Sequence, residues 1–239
     1  KDTSRVYGKK EYKGHPWVQR EELPYDITQG LQGRHLCLWA SHGKYYNNRA
    51  QKWIWQRPRL FCTTEDLFTQ TIVVPYAIRM LENAGACVFT PRDRDWQKNE
   101  AIVDNDAPEA GGIYQETNGK YAWNEGGTGF AYRQAYYQDG DNPFMDGSCR
   151  VIESVTGRKE PSTALWCPVV PEDGDYAVYV SYRTFPNSVD DARYIVRHQG
   201  IDTPFTVNQR MGGGTWVYLG TFRFDAGDLN NNCVILTNQ

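Results

Sequence analysis

Long aliphatic runs are missing from this sequence. Leu, Ile, Val and Phe make up only about a fifth of the 239 residues, a level at which disorder becomes a concern. Yet 33 residues are Phe, Trp or Tyr and the net charge is only -3, so the apolar payload sits in aromatic rings and the chain folds. The most uniformly apolar stretch, Thr71 to Ile78, is short and broken by Pro75, far below the roughly 20 residues that span a bilayer. This excludes a transmembrane helix. Basic charge is not in excess either: 26 Lys and Arg face 29 Asp and Glu. No broad basic face exists for phosphates, and nucleic acid is excluded as a partner. Lys1 to Gly8 lack the apolar core of a secretion signal, which suits a cytosolic chain, a processed one, or one shorn of its leader.

Paired cysteines are also lacking. The six cysteines (Cys37, Cys62, Cys87, Cys149, Cys167 and Cys233) lie far apart without a Cys-x-x-Cys pair, which excludes a zinc ribbon and a redox motif. Cys37 and Cys87 fall inside apolar, strand-like runs, where a small buried thiol is expected over a disulfide. Spacing alone leaves any disulfide pairing open.

What is present has two textures that meet near residue 100. Arg34 to Ala40 (RHLCLWA) suits a strand buried on both faces. Asp66 to Asn83 carries Leu67, Thr71, Val74, Ile78 and Leu81 at alternating spacings of four and three, one stripe of a helix that Pro75 should kink and Gly85 should stop. Ala86 to Thr90 reads as a second strand, so strand, helix and strand predict a right-handed crossover and a parallel pair. From Ala101 onward the period is two: Asp175 to Arg183, Ala192 to His198, Pro204 to Arg210, Thr215 to Phe224 and Cys233 to Thr237 are short strands punctuated by Gly and Asp. They predict an antiparallel β-sandwich or jelly roll. The fold class is α/β plus all-β, divided into an N-terminal extension (1–32), an incomplete α/β part (33–100) and a sandwich (101–239).

Ser41-His42-Gly43-Lys44 stands directly after the first strand, at the strand-end edge where open parallel sheets bind ligands. Glu65 lies at the predicted helix start, where the dipole stabilises a carboxylate. A His nitrogen and a carboxylate suit a catalytic zinc, which takes three protein ligands and keeps one position for water. A loop His and a helix-capping Glu explain the same two residues without a metal.

HLCLWASHGKYY, then EDLF, then YAIRMLENAGACVFTPRDRD, resemble the first half of the zinc-dependent N-acetylmuramoyl-L-alanine amidases of bacterial cell-wall turnover. The resemblance implies zinc held by His42 and Glu65, and aligns Arg92-Asp93-Arg94-Asp95 with the end of the family's second strand. Ser41 and Lys44 replace glycines of its first motif. The third ligand and the catalytic Glu have no counterpart, since His198, the one histidine after Glu65, falls in an unlike strand pattern. From Ala101 on, IVDND, ALWCPVVPEDGDYAVYVSY, ARYIVRHQG and TWVYLGTFRFDAG resemble a golvesin-like domain, the β-sandwich of proteins often labelled xanthan lyases. Together the resemblances imply a partial amidase-like half with an inserted sandwich, secreted to the bacterial cell envelope, periplasm or outer surface.

The loop from Gly43 to Cys62 is rich in aromatic and basic groups: Tyr45, Tyr46, Arg49, Trp53, Trp55, Arg57 and Arg59. Rings stack on sugar faces and guanidinium forks hold carboxylates, so these are candidate substrate-binding residues for peptidoglycan or another envelope glycan. Packing of Trp53 and Trp55 onto the sheet is the competing reading. Three functions follow as expectations: zinc amidase, non-catalytic glycan-binding module, and polysaccharide lyase. The last needs a base and a group that neutralises a uronate, and no local cluster in the sequence marks one.

Overall fold

The computed structural model describes residues 14–22, 30–92, 94, 98–106, 111–131, 137–138 and 140–239; Asp93 and Asp95 of the second-strand motif lie outside them. Strand β1 (Val18–Arg20) is followed by β2 (His35–Cys37) and two small hairpins, β3 (Lys44–Asn47) with β4 (Lys52–Trp55) and β5 (Arg59–Leu60) with β6 (Thr63–Thr64). A helical run then passes through α1 (Glu65–Ile72), a π segment (Val73–Ile78) and α2 (Arg79–Asn83) before β7 (Cys87–Phe89), which pairs parallel to β2. The strand, helix and strand order is as the sequence predicts.

Local chemistry sets the limits of this helix. Thr64 is extended, and its hydroxyl accepts from the Leu67 N–H at 3.2 Å, satisfying one orphan donor of the first turn. Pro75 brings no N–H and its ring crowds the preceding turn, and the backbone there widens into the π segment. At the other end Gly85, with φ +97°, donates to the Glu82 carbonyl while Ala86 donates to Leu81, the paired bonds of a Schellman stop. Of the predicted stripe only Ile78 is fully buried, with Ala86 and Val88 in a small core that Leu36, Leu38 and Leu81 flank. A doubly buried strand is not observed: Cys37 is exposed. Two described strands and one helical run cover one face only, so the thiol expected inside stands outside.

The β-rich part carries β8 (Gly112–Thr117), β9 (Asn124–Gly129), β10 (Gly147–Val151), β11 (Thr163–Pro168), β12 (Gly174–Val180), β13 (Ala192–His198), β14 (Ile201–Val207), β15 (Val217–Phe224) and β16 (Cys233–Thr237). Six strands form an antiparallel sheet in the order β1-β14-β13-β16-β11-β8, and β12 pairs antiparallel with β15. Between them Tyr194, Val196, Phe205, Val207, Val217, Leu219, Phe222 and Phe224 form the main core. Alternation along β15 slips by one residue: Val217 and Leu219 are buried, then Phe222 and Phe224. The pairing shows why, since Tyr179 faces Tyr218 and Val178 faces Gly220, leaving Leu219 as the extra residue of a bulge. Cys167 and Cys233 form a disulfide between adjacent strands β11 and β16.

Val18–Arg20, part of the N-terminal extension, is the edge strand of this sandwich, with Val18 opposite Val207. Trp17 next to it joins the two parts. Its indole lies 5.1 Å from the Phe89 ring and donates to the Tyr182 hydroxyl at 2.9 Å, while its backbone N–H donates to His35 Nε2 at 2.9 Å. The last bond requires a neutral imidazole, and burial holds the His35 pKa below its usual value. A lowered folded-state pKa means that the contribution is complete above the ordinary histidine value and is lost as pH falls through the depressed one. Acidification is therefore expected to free Trp17 before the sandwich unfolds. A fluorescence shift on the acid side that is absent in Trp17→Phe, with far-ultraviolet circular dichroism unchanged, would register it; loss of both signals together would contradict it.

Candidate functional site

His42 follows β2 through Ser41, which takes φ +63°, a region that favours glycine. A side chain at Gly43 would collide with Arg92 and Gln70, so this turn is packed closely against the helix and the segment after β7. His42 Nε2 lies 4.0 Å from Glu65 Oε1. The structure thus brings these two residues together at the strand-end edge. Two further partners complete the cluster: Gln56, absent from the sequence reading, has Oε1 3.3 Å from Nδ1, and Arg57, read there as a glycan contact, has Nη2 2.9 Å from Nε2. Because a guanidinium only donates, Nε2 accepts and Nδ1 carries the proton toward Gln56. Arg57 is held there by Asp66, fully buried, whose Oδ2 accepts from the Arg57 backbone N–H at 2.9 Å. Asp66, like Gln56, is a residue that the sequence reading missed, hidden as an ordinary acidic residue of a first helical turn.

The aromatic loop is a hairpin. Cross-strand pairing sets Lys44 opposite Trp55 and Tyr46 opposite Trp53, so these four side chains share one face, with Tyr45 and Ile54 on the other. Trp53 is 61% exposed and its ring meets that of Tyr46 edge-on at 5.8 Å; Lys44 Nζ lies 5.0 Å from the Trp55 ring. Packing of Trp53 onto the sheet is thereby excluded. Tyr45 is directed away and accepts from Asn47, Arg57 is committed to His42, and Arg59 is exposed on β5 opposite Thr64.

A second polar cluster opens between the sandwich layers, where β9 and β10 face β8 in a cleft of about 590 Å³. Arg150 of β10 makes a two-pronged bond to Glu116 of β8, at 2.6 and 2.9 Å, and the Tyr114 hydroxyl donates to the same carboxylate. Desolvation pushes the Glu116 carboxyl up, but the bonds from Arg150 and Tyr114 outweigh it and hold the group below its usual range. Burial, and then the bond to Glu116, push the Tyr114 phenol far above its ordinary value. Asp106 accepts from the Ser148 N–H and hydroxyl, each at 2.6 Å. The Gly-Gly step in NEGGTG was the available signal for this site, since paired glycines inside a strand mark a bulge. His198, by contrast, is a strand residue 3.1 Å from Thr203, and burial lowers its pKa.

Residues 147–239 match the Golvesin C-terminal domain family. This part of the chain is golvesin-like. A xanthan lyase of Bacillus sp. (strain GL1) is 35% identical over 69 residues, which cover 29% of this chain and 7% of the relative. The chain thus spans a small fraction of the curated relative it matches. The solved structure of a Paenibacillus xanthan lyase aligns with 53% of this chain and 12% of its own at 21% identity and a TM-score of 0.36. The β domain is golvesin-like and xanthan lyase-like, and no helix among the described residues is long and apolar enough to cross a membrane.

Proposed function

We propose that this chain is a glycan-binding module of a polysaccharide-directed protein exported to the bacterial cell envelope, and that the β3–β4 hairpin is its face for an anionic glycan. The observation that carries the reading is the shared face of Tyr46, Trp53 and Trp55 with Lys44, with Trp53 largely uncovered. Aromatic planes take sugar faces, and Lys44 on the same face, with Arg59 of β5, supplies positive charge for uronate or lactyl carboxylates. Golvesin-like and xanthan lyase-like sequence in the β domain supports a polysaccharide as the target. Titration of the chain with tetragalacturonate, followed by tryptophan fluorescence, tests it: salt-sensitive saturation is expected, and its absence up to millimolar sugar would end the proposal. Peptidoglycan sacculi in a pull-down separate an envelope glycan from a looser preference for acidic sugars.

The β8–β10 cleft does not by itself supply a lyase step: elimination needs a base, often Tyr or His, and a cation free to neutralise a uronate, whereas there burial and the bond to Glu116 raise the Tyr114 phenol and the Arg150 charge is balanced by Glu116.

One observation supports the zinc amidase as a second reading: His42 and Glu65 converge, in a turn whose Ser41 keeps a glycine-like backbone. The donors, however, do not fit a catalytic zinc by themselves. No group of three or more metal-ligating side chains occurs among the described residues, and the Arg57 guanidinium sits on the Nε2 lone pair that a metal would need. Zinc binding is proposed as weak, with His42 and Glu65 as its ligands and Arg57 displaced. Calorimetry should give weak heats that His42→Ala removes; nanomolar affinity would demand a third ligand.

A further inference from the structure

The interlayer cleft holds more polar chemistry than sandwich packing requires. Glu116 occupies an inward row that continues across the sheet as Ala164, Leu236, Tyr194 and Phe205. A partly buried ion pair at such a place is commonly no more stabilising than a well-packed apolar pair, so stability does not account for Glu116 and Arg150. The β9–β10 register adds a second observation. Continuing from the Ser148 and Thr128 pair, regular pairing would set Gly126 opposite Arg150; one extra residue on β9 sets Glu125 there instead. Two glycines permit this bulge. Gly127 takes φ +87°, and a side chain at Gly126 would collide with Val151 and Cys149.

The lining is therefore a network with capacity to spare. Asp106 and Glu116 are engaged by Ser148, Arg150 and Tyr114, while Glu125 has no hydrogen-bond partner among the described residues. Asn105 donates to the Ser148 hydroxyl at 2.8 Å, and its amide oxygen has no donor among the described residues. Adjacent sugar hydroxyls each donate and accept: a carboxylate takes two such donors as a fork, and guanidinium N–H groups feed their lone pairs. Three carboxylates against one guanidinium make the cleft repel a uronate, the reverse of the basic hairpin. A volume of about 590 Å³ falls within the range of small-ligand sites. We propose that this cleft binds an uncharged, hydroxyl-rich sugar unit, as a second glycan subsite opposite in charge preference to the β3–β4 face. This rests on the polysaccharide-directed reading given above.

Backbone-amide NMR of the full chain with cellotetraose, uncharged, and tetragalacturonate, anionic, tests the proposal. Cellotetraose is expected to shift the Asn105, Glu125, Ser148 and Arg150 signals, and Glu125→Ala and Asn105→Ala are each expected to weaken it about five- to tenfold, the worth of one or two hydrogen bonds. Glu125 is exposed, so its variant should fold even if Asn105→Ala does not. Trp53→Ala should leave the cellotetraose shifts in place. Cellotetraose that leaves these signals unmoved up to its solubility limit, or that binds Glu125→Ala as tightly as the parent, overturns the proposal. Failure of the hairpin reading would appear separately, as loss of the tetragalacturonate response alone.

Discussion

Replacing Cys233 with serine is expected to lower the melting temperature by about 10 °C. The bridge to Cys167 closes a separation of 66 residues and ties β11 to β16 in the middle of the six-stranded sheet. Loop-closure entropy for that span is worth about 4 kcal/mol, and for a chain of this size each kcal/mol moves the midpoint by roughly 2–4 °C. Both cysteines are almost fully buried, and the serine hydroxyl would have the Leu229 carbonyl, 3.2 Å from the present sulfur, as an acceptor, so the loss is chiefly that of the bridge itself. Cys37→Ser and Cys62→Ser provide the control, because both thiols are exposed and unbridged, and neither should move the midpoint by more than about a degree. Calorimetry of the three variants, with free thiols counted in the unfolded parent, decides the matter. A Cys233→Ser protein melting with the parent would mean that the sandwich does not depend on this link.

Local chemistry was legible in the sequence, and long-range pairing was not. The strand, helix, strand order around Glu65 to Phe89 could be read because a cap, a proline and a glycine stop each act within a few residues. The strands after Ala101 were legible for the same reason, since alternation is a property of neighbours. What failed depended on partners far along the chain. Val18–Arg20 is too short to show a period, and only β14 makes it a strand. Cys37 looked buried because an apolar run implies two covered faces, yet the described sheet covers one. The slip at Leu219 depends on which residue of β12 faces which of β15. The site was legible in the same partial way. Spacing put His42 and Glu65 at one edge, but Arg57, brought there by a backbone bond to Asp66, had been assigned to a glycan. The cleft went unread, despite the Gly-Gly step in NEGGTG, because its side chains come from four segments that meet only in the folded chain.

Trp53→Ala should reduce tetragalacturonate affinity about tenfold while leaving the fold intact. The indole is 61% exposed on a two-stranded hairpin, so its removal costs the protein little beyond the edge-on contact with Tyr46, about 1 kcal/mol. For a bound sugar the ring supplies the more exposed of the two indoles on that face. Covering about 75 Å² of it at about 25 cal/mol per Å² is worth about 2 kcal/mol, and the cost of ordering the sugar reduces the net to about a factor of ten. Charge supplies the remainder: raising salt tenfold should weaken the parent and Trp53→Ala alike, because Lys44 and Arg59 are unchanged, whereas Lys44→Ala, on the same face as the rings, should blunt the salt dependence and leave Trp53 available for stacking. Fluorescence would lose its main reporter in the tryptophan variant, so calorimetry is the measurement of choice. Equal affinity of Trp53→Ala and parent would remove the hairpin from the glycan site and leave the interlayer cleft as the place where this chain meets a sugar.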